Sequence, residues 1–220
     1  MALFLFPFIS YAVSFSGLSG MLRIPSGYVG SGMSYYSLNG IKYYSYSKKM
    51  LLPNIEVGIK KRENTDKSIF SAKMELLPDF GYIPALSIGI LDINDPELER
   101  SFFATVSKKI KSFGMKLHGG FIRKGNYKDI DLVKSIYNPK SALNHFIQSG
   151  DNKKKYFFGL EKSLFNIINL MASYQSNSVI DTGMSISVSK FSIEYWKLDI
   201  KDTENFKDNT MIMVSTGYSF

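Results

Sequence analysis

Nine ionisable residues stand at alternate positions in runs whose other face is apolar: Glu56, Lys60, Lys73, Glu75, Lys116, His118, Glu161, Asp181 and Glu194. Alternation points all nine the same way, toward an interior. Charges enclosed in a protein must be paired, so mixed signs suit an interior ion-pair network. The same set suits a polar conduit whose charges select a solute. The pattern leaves both open and assigns no preference for anions or cations. Familiar catalytic spacings do not occur: there is no Gly-rich phosphate loop, nucleophile elbow or paired-histidine motif. The two histidines, His118 and His145, come with no Ser or Asp at telling spacing. With no Cys, disulfides and thiolate metal sites are excluded. Two histidines leave little for an imidazole site. The expectation is a chain with no enzymatic activity and no cofactor.

Such residues need elements that hold them on one face. After Gly30 the dominant period is two. In Ile180–Ser189, the residues Ile180, Thr182, Met184, Ile186 and Val188 share one face, opposite Asp181, Gly183, Ser185, Ser187 and Ser189. That is a strand with one apolar face and one small, polar face. The split recurs in Ile168/Leu170/Ala172/Tyr174 against Asn169/Met171/Ser173/Gln175. It recurs again in Ile55/Val57/Ile59 against Glu56/Gly58/Lys60, and in Phe113/Met115/Leu117/Phe121 against Gly114/Lys116/His118/Gly120.

About twelve such runs are expected, each of the length that crosses a bilayer as a tilted strand. They lie near 32–38, 41–49, 53–62, 67–77, 84–93, 101–109, 112–122, 155–164, 167–175, 179–188, 191–200 and 209–220. Aromatics fall on both faces near Tyr35–Tyr46, and the pattern slips at Tyr195–Trp196, where a bulge or an interface residue is expected. Asn39-Gly40 reads as a two-residue hairpin turn. An even strand count puts both ends on one side. With that side periplasmic, the periplasmic turns are all short and the one long connection, 123–154, faces outward, as outer-membrane barrels require.

The charge balance is +8, with 27 Lys and Arg against 19 Asp and Glu. Between Arg123 and Lys155 eight basic residues face three acidic ones, so the excess concentrates in the long outer loop. A solvated loop explains it, as would contact with an anionic surface or polyanion, and nucleic acid is not expected as a partner. The loop is rich in apolar residues, and Ser141–Gln148 reads as a short helix ended by Gly150. It folds either into the mouth or onto the rim.

Ala2–Val13 is almost wholly apolar and too short to span a bilayer as a helix. It fits the h-region of a secretory leader, residues 1–14, cut ahead of Phe15. Residues 15–30 then form a segment that is either periplasmic or tucked into the lumen, where Arg23 would meet the inward carboxylates. Residues 31–220 form the barrel. At the far end Phe220, preceded by Tyr218, Thr216, Val214 and Ile212 on one face, resembles the terminal signal read by the barrel assembly machinery.

A sandwich buries its apolar face, whereas a membrane barrel turns it to lipid. The terminal strand, leader and strand parity favour the barrel. Gly20–Ser26 (GMLRIPS), Leu52–Lys60 (LPNIEVGIK), Ser71–Ile93, Phe102–Lys109 and Phe158–Tyr174 together resemble the YjbH-type outer-membrane family. That resemblance implies a β-barrel associated with exopolysaccharide biosynthesis. The expectation is an all-β, antiparallel transmembrane barrel in the bacterial outer membrane, a passive conduit or accessory for surface polysaccharide or small solutes. Its partners would be outer-membrane lipid, the assembly machinery, and polysaccharide or other envelope proteins. The alternatives are a non-conducting barrel that docks an envelope assembly and a secreted polysaccharide-binding sandwich.

Overall fold

A computed structural model describes residues 18–21, 24–38, 41–50, 54–63, 65–94, 101–124, 154–165, 167–176, 179–198 and 210–218. Twelve strands run in chain order: β1 (Ser31–Leu38), β2 (Ile41–Met50), β3 (Ile55–Arg62), β4 (Ser68–Leu77), β5 (Ala85–Leu91), β6 (Ser101–Ile110), β7 (Met115–Lys124), β8 (Lys154–Leu164), β9 (Ile168–Gln175), β10 (Val179–Val188), β11 (Phe191–Lys197) and β12 (Thr210–Tyr218). Each pairs antiparallel with its neighbours in sequence, and β1 closes on β12 from Ser31↔Tyr218 to Ser37↔Ile212. Closure removes every sheet edge, the condition for strands to cross a bilayer. It also excludes the two-sheet sandwich. The leader, the connection 125–153 with its expected helix, and Phe220 lie outside the described residues.

The outer face is apolar. Ile180, Met184, Ile186 and Val188 on β10, and Ile193 on β11, are exposed. Such a surface is tolerable only in lipid. Aromatics mark both borders of this belt. Phe80, Tyr82, Phe113, Phe165 and Phe191 ring the end with short turns, while Tyr35, Tyr44, Tyr156, Tyr174 and Tyr195 stand toward the other end. Paired aromatic girdles are what interfaces select.

Two local expectations need correction. No bulge occurs at Tyr195–Trp196: β11 pairs in unbroken register with β10 and β12. Trp196 keeps the alternation and points inward, wholly buried. The register shift lies instead on β4, between Glu75 and Leu77. The strand read as 112–122 starts at Met115, because Lys111–Phe113 forms a 3-10 turn closed by Gly114 at φ 57°, where a side chain would be strained. Near Tyr35–Tyr46 the ambiguity has a simple cause. Tyr35 and Tyr44 pair on the lipid side, while Tyr36 and Tyr43 stack inside with ring centres 5.0 Å apart.

Candidate functional site

The site is the barrel interior, and its inner wall is built by the period-two face of each strand. Serine dominates it: Ser34, Ser45, Ser47, Ser71, Ser87, Ser107, Ser173, Ser185, Ser192 and Ser215 are all buried. Small inward side chains leave space, and residues 18–21 and 24–30 occupy it. Leu18, Ser19, Ile24 and Ser26 are buried inside the barrel. This segment folds back on itself through an antiparallel bridge between Gly20 and Pro25.

Glu56 on β3 and Lys73 on β4 hold the segment. Their charges meet at 3.1 Å, both side chains fully buried. Glu56 accepts from the Ser19 amide, from Ser19 Oγ at 2.6 Å and from the Gly30 amide at 3.1 Å. Lys73 Nζ lies 2.6–3.2 Å from the carbonyls of Ser19, Ser26 and Tyr28 and from Ser19 Oγ. A buried ion pair needs such added bonds to offset its desolvation, and here the segment supplies them. Three further wall hydroxyls bond its backbone. Ser107 Oγ accepts from the Gly27 amide at 2.7 Å, Ser87 Oγ donates to Gly27 O, and Thr105 Oγ1 donates to Pro25 O.

The opposite wall carries an apolar cluster beside its polar groups. Met21 and Ile24 pack with Tyr36, Phe157, Met171, Trp196, Leu198, Met211 and Met213. Glycine makes the room. A Cβ at Gly159 would stand 2.5 Å from Ile24 Cδ1 and 2.6 Å from Met21 Sδ. One at Gly183 would stand 2.6 Å from the Trp196 ring.

A second charged group lies toward the turn-bearing end. Lys116 Nζ bonds Glu161 Oε2 at 2.7 Å, and His118 Nε2 lies 3.0 Å from Glu161 Oε1. His118 Nδ1 is 2.7 Å from Ser107 Oγ. Ser107, His118 and Glu161 thus form a hydrogen-bonded chain resembling a hydrolase relay. Ser107 is fully buried, however, and its oxygen already takes the Gly27 amide proton. The chain therefore ties the segment to the wall. Glu194 accepts from Trp196 Nε1 at 2.8 Å, fixing that ring. Lys116, His118, Glu161, Asn169, Ser185 and Glu194 line a polar cavity of about 40 Å³ shared with Ser26 and Tyr28, room for a few waters.

All nine charged residues expected inside fall on the inward parity of their strands. They separate into groups. Glu56 and Lys73 grip the segment; Lys116, His118, Glu161 and Glu194 face the cavity. Asp181 is fully buried opposite Ser173. Lys60 reaches Asp92 at 3.7 Å beyond β5. Glu75 is half-buried beside the β4 register shift. Of the two residues assigned to the assembly signal, Tyr218 has its backbone in register with Ser31. Arg23 lies outside the described residues, and the inward carboxylate Glu56 is met by backbone amides and Ser19 instead.

Sequence reasoning did not find Ser19, Ser107, Tyr28 or Asp79. Tyr28 OH donates to Asp79 Oδ2 at 2.9 Å, and Lys108 Nζ and the Lys109 amide bond the same carboxylate. Asp79 sits in the turn after β4, outside the spanning strands. Burial pushes its carboxyl up, but these donors outweigh it and hold it below the ordinary value of 3.8. A depressed carboxyl adds stability that is present at neutral pH and lost as pH falls through the folded pKa. The Tyr28 tether should therefore survive mild acid. Protease cleavage within residues 18–30 should stay flat from pH 8 to about 5 and rise only below the ordinary carboxylate range. Asp79→Asn should raise cleavage across that flat range and converge with the native chain at the acid end.

No family model matches the chain, and no curated protein matches it. The YjbH-type resemblance therefore gains no support from comparison. Solved structures do match. A KdgM porin superposes with a TM-score of 0.50 at 8% identity, covering 87% of this chain and 99% of the porin. A KdgM porin in complex with disordered oligogalacturonate gives a TM-score of 0.51, at the same identity and coverage. The chain shares the fold of these twelve-stranded barrels. At such identity the likeness concerns architecture alone.

Proposed function

We propose that the protein is an outer-membrane barrel acting as a passive channel, or channel accessory, for polysaccharide or small solutes. The observation that carries this is a closed barrel with an apolar outer belt and a charged, serine-rich inner wall. A scaffold that only docks partners needs the belt but not so polar an interior. The KdgM neighbours lend support, since one of them is described with an oligogalacturonate. The YjbH-type phrases put a surface polysaccharide first among solutes.

Glu75 and Glu194 lie on the inward face without belonging to the Glu56–Lys73 grip. Changing both to Gln should move the reversal potential in a salt gradient toward anion preference, because inward carboxylates favour cations in a pore. An unchanged potential in a conducting barrel would mean that these side chains do not face the ion path. The filled lumen specifically favours one competing reading, a barrel that is permanently closed and serves as a scaffold.

Assembly is proposed to depend on the terminal strand. Phe220→Ala should lower the yield of folded barrel in the outer membrane, read as loss of the heat-modifiable band on gels. Equal yield would remove Phe220 from the assembly signal.

A further inference from the structure

We infer that residues 18–21 and 24–30 form an autoinhibitory plug, an occupant of the lumen that must leave its seat before solute can pass. This rests on the channel reading and adds to it the element that closes the path.

Three features separate a plug from a permanent part of the core. First, among the described residues the segment joins no named strand ladder on the wall. Its bridge, Gly20 with Pro25, is internal, and its bonds to the wall run through the side chains of Glu56, Lys73, Ser87, Thr105 and Ser107. These are groups that water satisfies equally well once the segment leaves. Second, the grip is directed at backbone groups and at Ser19, much as a binding site holds a ligand. Third, the wall is hollowed for it at Gly159, where any Cβ would press on Met21 and Ile24. A bare barrel wall gains nothing from a glycine there, and mid-strand glycine weakens a strand.

The seat is also two-sided. Polar groups on β3–β6 face apolar ones on β8–β12 and Tyr36. With Met21 and Ile24 in place, the apolar side is sealed against water. With them gone, a continuous polar wall remains along the other side.

The chain contains no Cys, so introduced thiols report alone. A Cβ at Gly27 would stand 3.1 Å from the Ser107 Cβ and 2.8 Å from the Ala85 carbonyl oxygen, so the segment must draw back from the wall slightly, which also brings the pair toward the 3.5–4.5 Å usual for a disulfide. The double variant Gly27→Cys/Ser107→Cys should therefore lock the segment to β6 when oxidised. In planar bilayers the oxidised form should open at least tenfold less often than the same protein after dithiothreitol. Gly159→Leu, which removes none of the polar groups that hold the segment, should raise opening at least tenfold over the native chain. A readout without current comes from Met213→Cys, a residue buried against Met21 and Ile24. A charged methanethiosulfonate reagent should label it at least tenfold faster when Gly159→Leu is added.

The outcomes separate the two readings. Openings that are equally frequent in the oxidised and reduced lock overturn the plug and leave the channel standing. Silence in every variant, with faster labelling in Gly159→Leu, supports a displaceable plug and overturns the channel. Silence with unchanged labelling overturns both, and makes the segment fixed core.

Discussion

Lys73→Met should cost the folded barrel about 3–5 kcal/mol, the loss expected when one partner of a buried ion pair is removed. The Glu56 carboxylate would be left fully buried at 0% exposure. The Ser19, Ser26 and Tyr28 carbonyls would lose their shared donor. The measurement is the urea midpoint of the barrel folded into lipid vesicles. Glu56→Gln should also be costly, because it leaves the Lys73 ammonium buried without its counter-charge and turns an amide NH2 toward one of the donors from Ser19 and Gly30. The double variant Glu56→Gln/Lys73→Met should cost less than the sum of the two single changes, so the double-mutant cycle should show strong coupling. A cost below about 1 kcal/mol for Lys73→Met, the value of an exposed pair, would mean that water reaches these charges. The closed seat described above would then be wrong.

The second large effect lies on the other side of the wall. Met184 is outward and central on β10, and 43% exposed. Met184→Arg should cost about 2–4 kcal/mol, the value for a cation at the bilayer midplane. Val188→Arg, at the end of the same strand and on the same face, should cost about 0–1 kcal/mol, as near an interface. The gradient is the diagnostic part. In a barrel surrounded by water both substitutions would be nearly neutral, since each side chain is already exposed. Refolding titrations into vesicles measure both, and equal costs at the two positions would remove the lipid belt.

The barrel was legible because period-two alternation is a local signal. All twelve strands fall where alternating residues place them, and the strand parity that put 123–154 outside also put both chain ends together. The charged inward set was legible for the same reason. What alternation cannot show is what lies across the lumen. Ser19 bonding Glu56, or Gly27 bonding Ser107 across 80 residues, is a contact between elements and has no spacing in sequence. Ser107 and His118 stand opposite each other on β6 and β7, a pairing that register alone reveals. At Tyr195–Trp196, where the sequence predicts a bulge or an interface residue, the register is unbroken, Tyr195 faces outward and Trp196 inward. Trp196 turns inward because Gly183 opposite leaves space and Glu194 takes its indole N–H. One signal went unused: inward glycines at 159 and 183 mark where the wall accommodates something large.

The most direct test of the channel is single-channel recording in a planar bilayer, with the mature chain extracted from outer membranes. The account predicts stable unitary steps separated by long closures, and closures shortened in Gly159→Leu. A barrel that is folded and lipid-embedded, yet carries no current in either form, would contradict it and leave a structural barrel in the outer membrane.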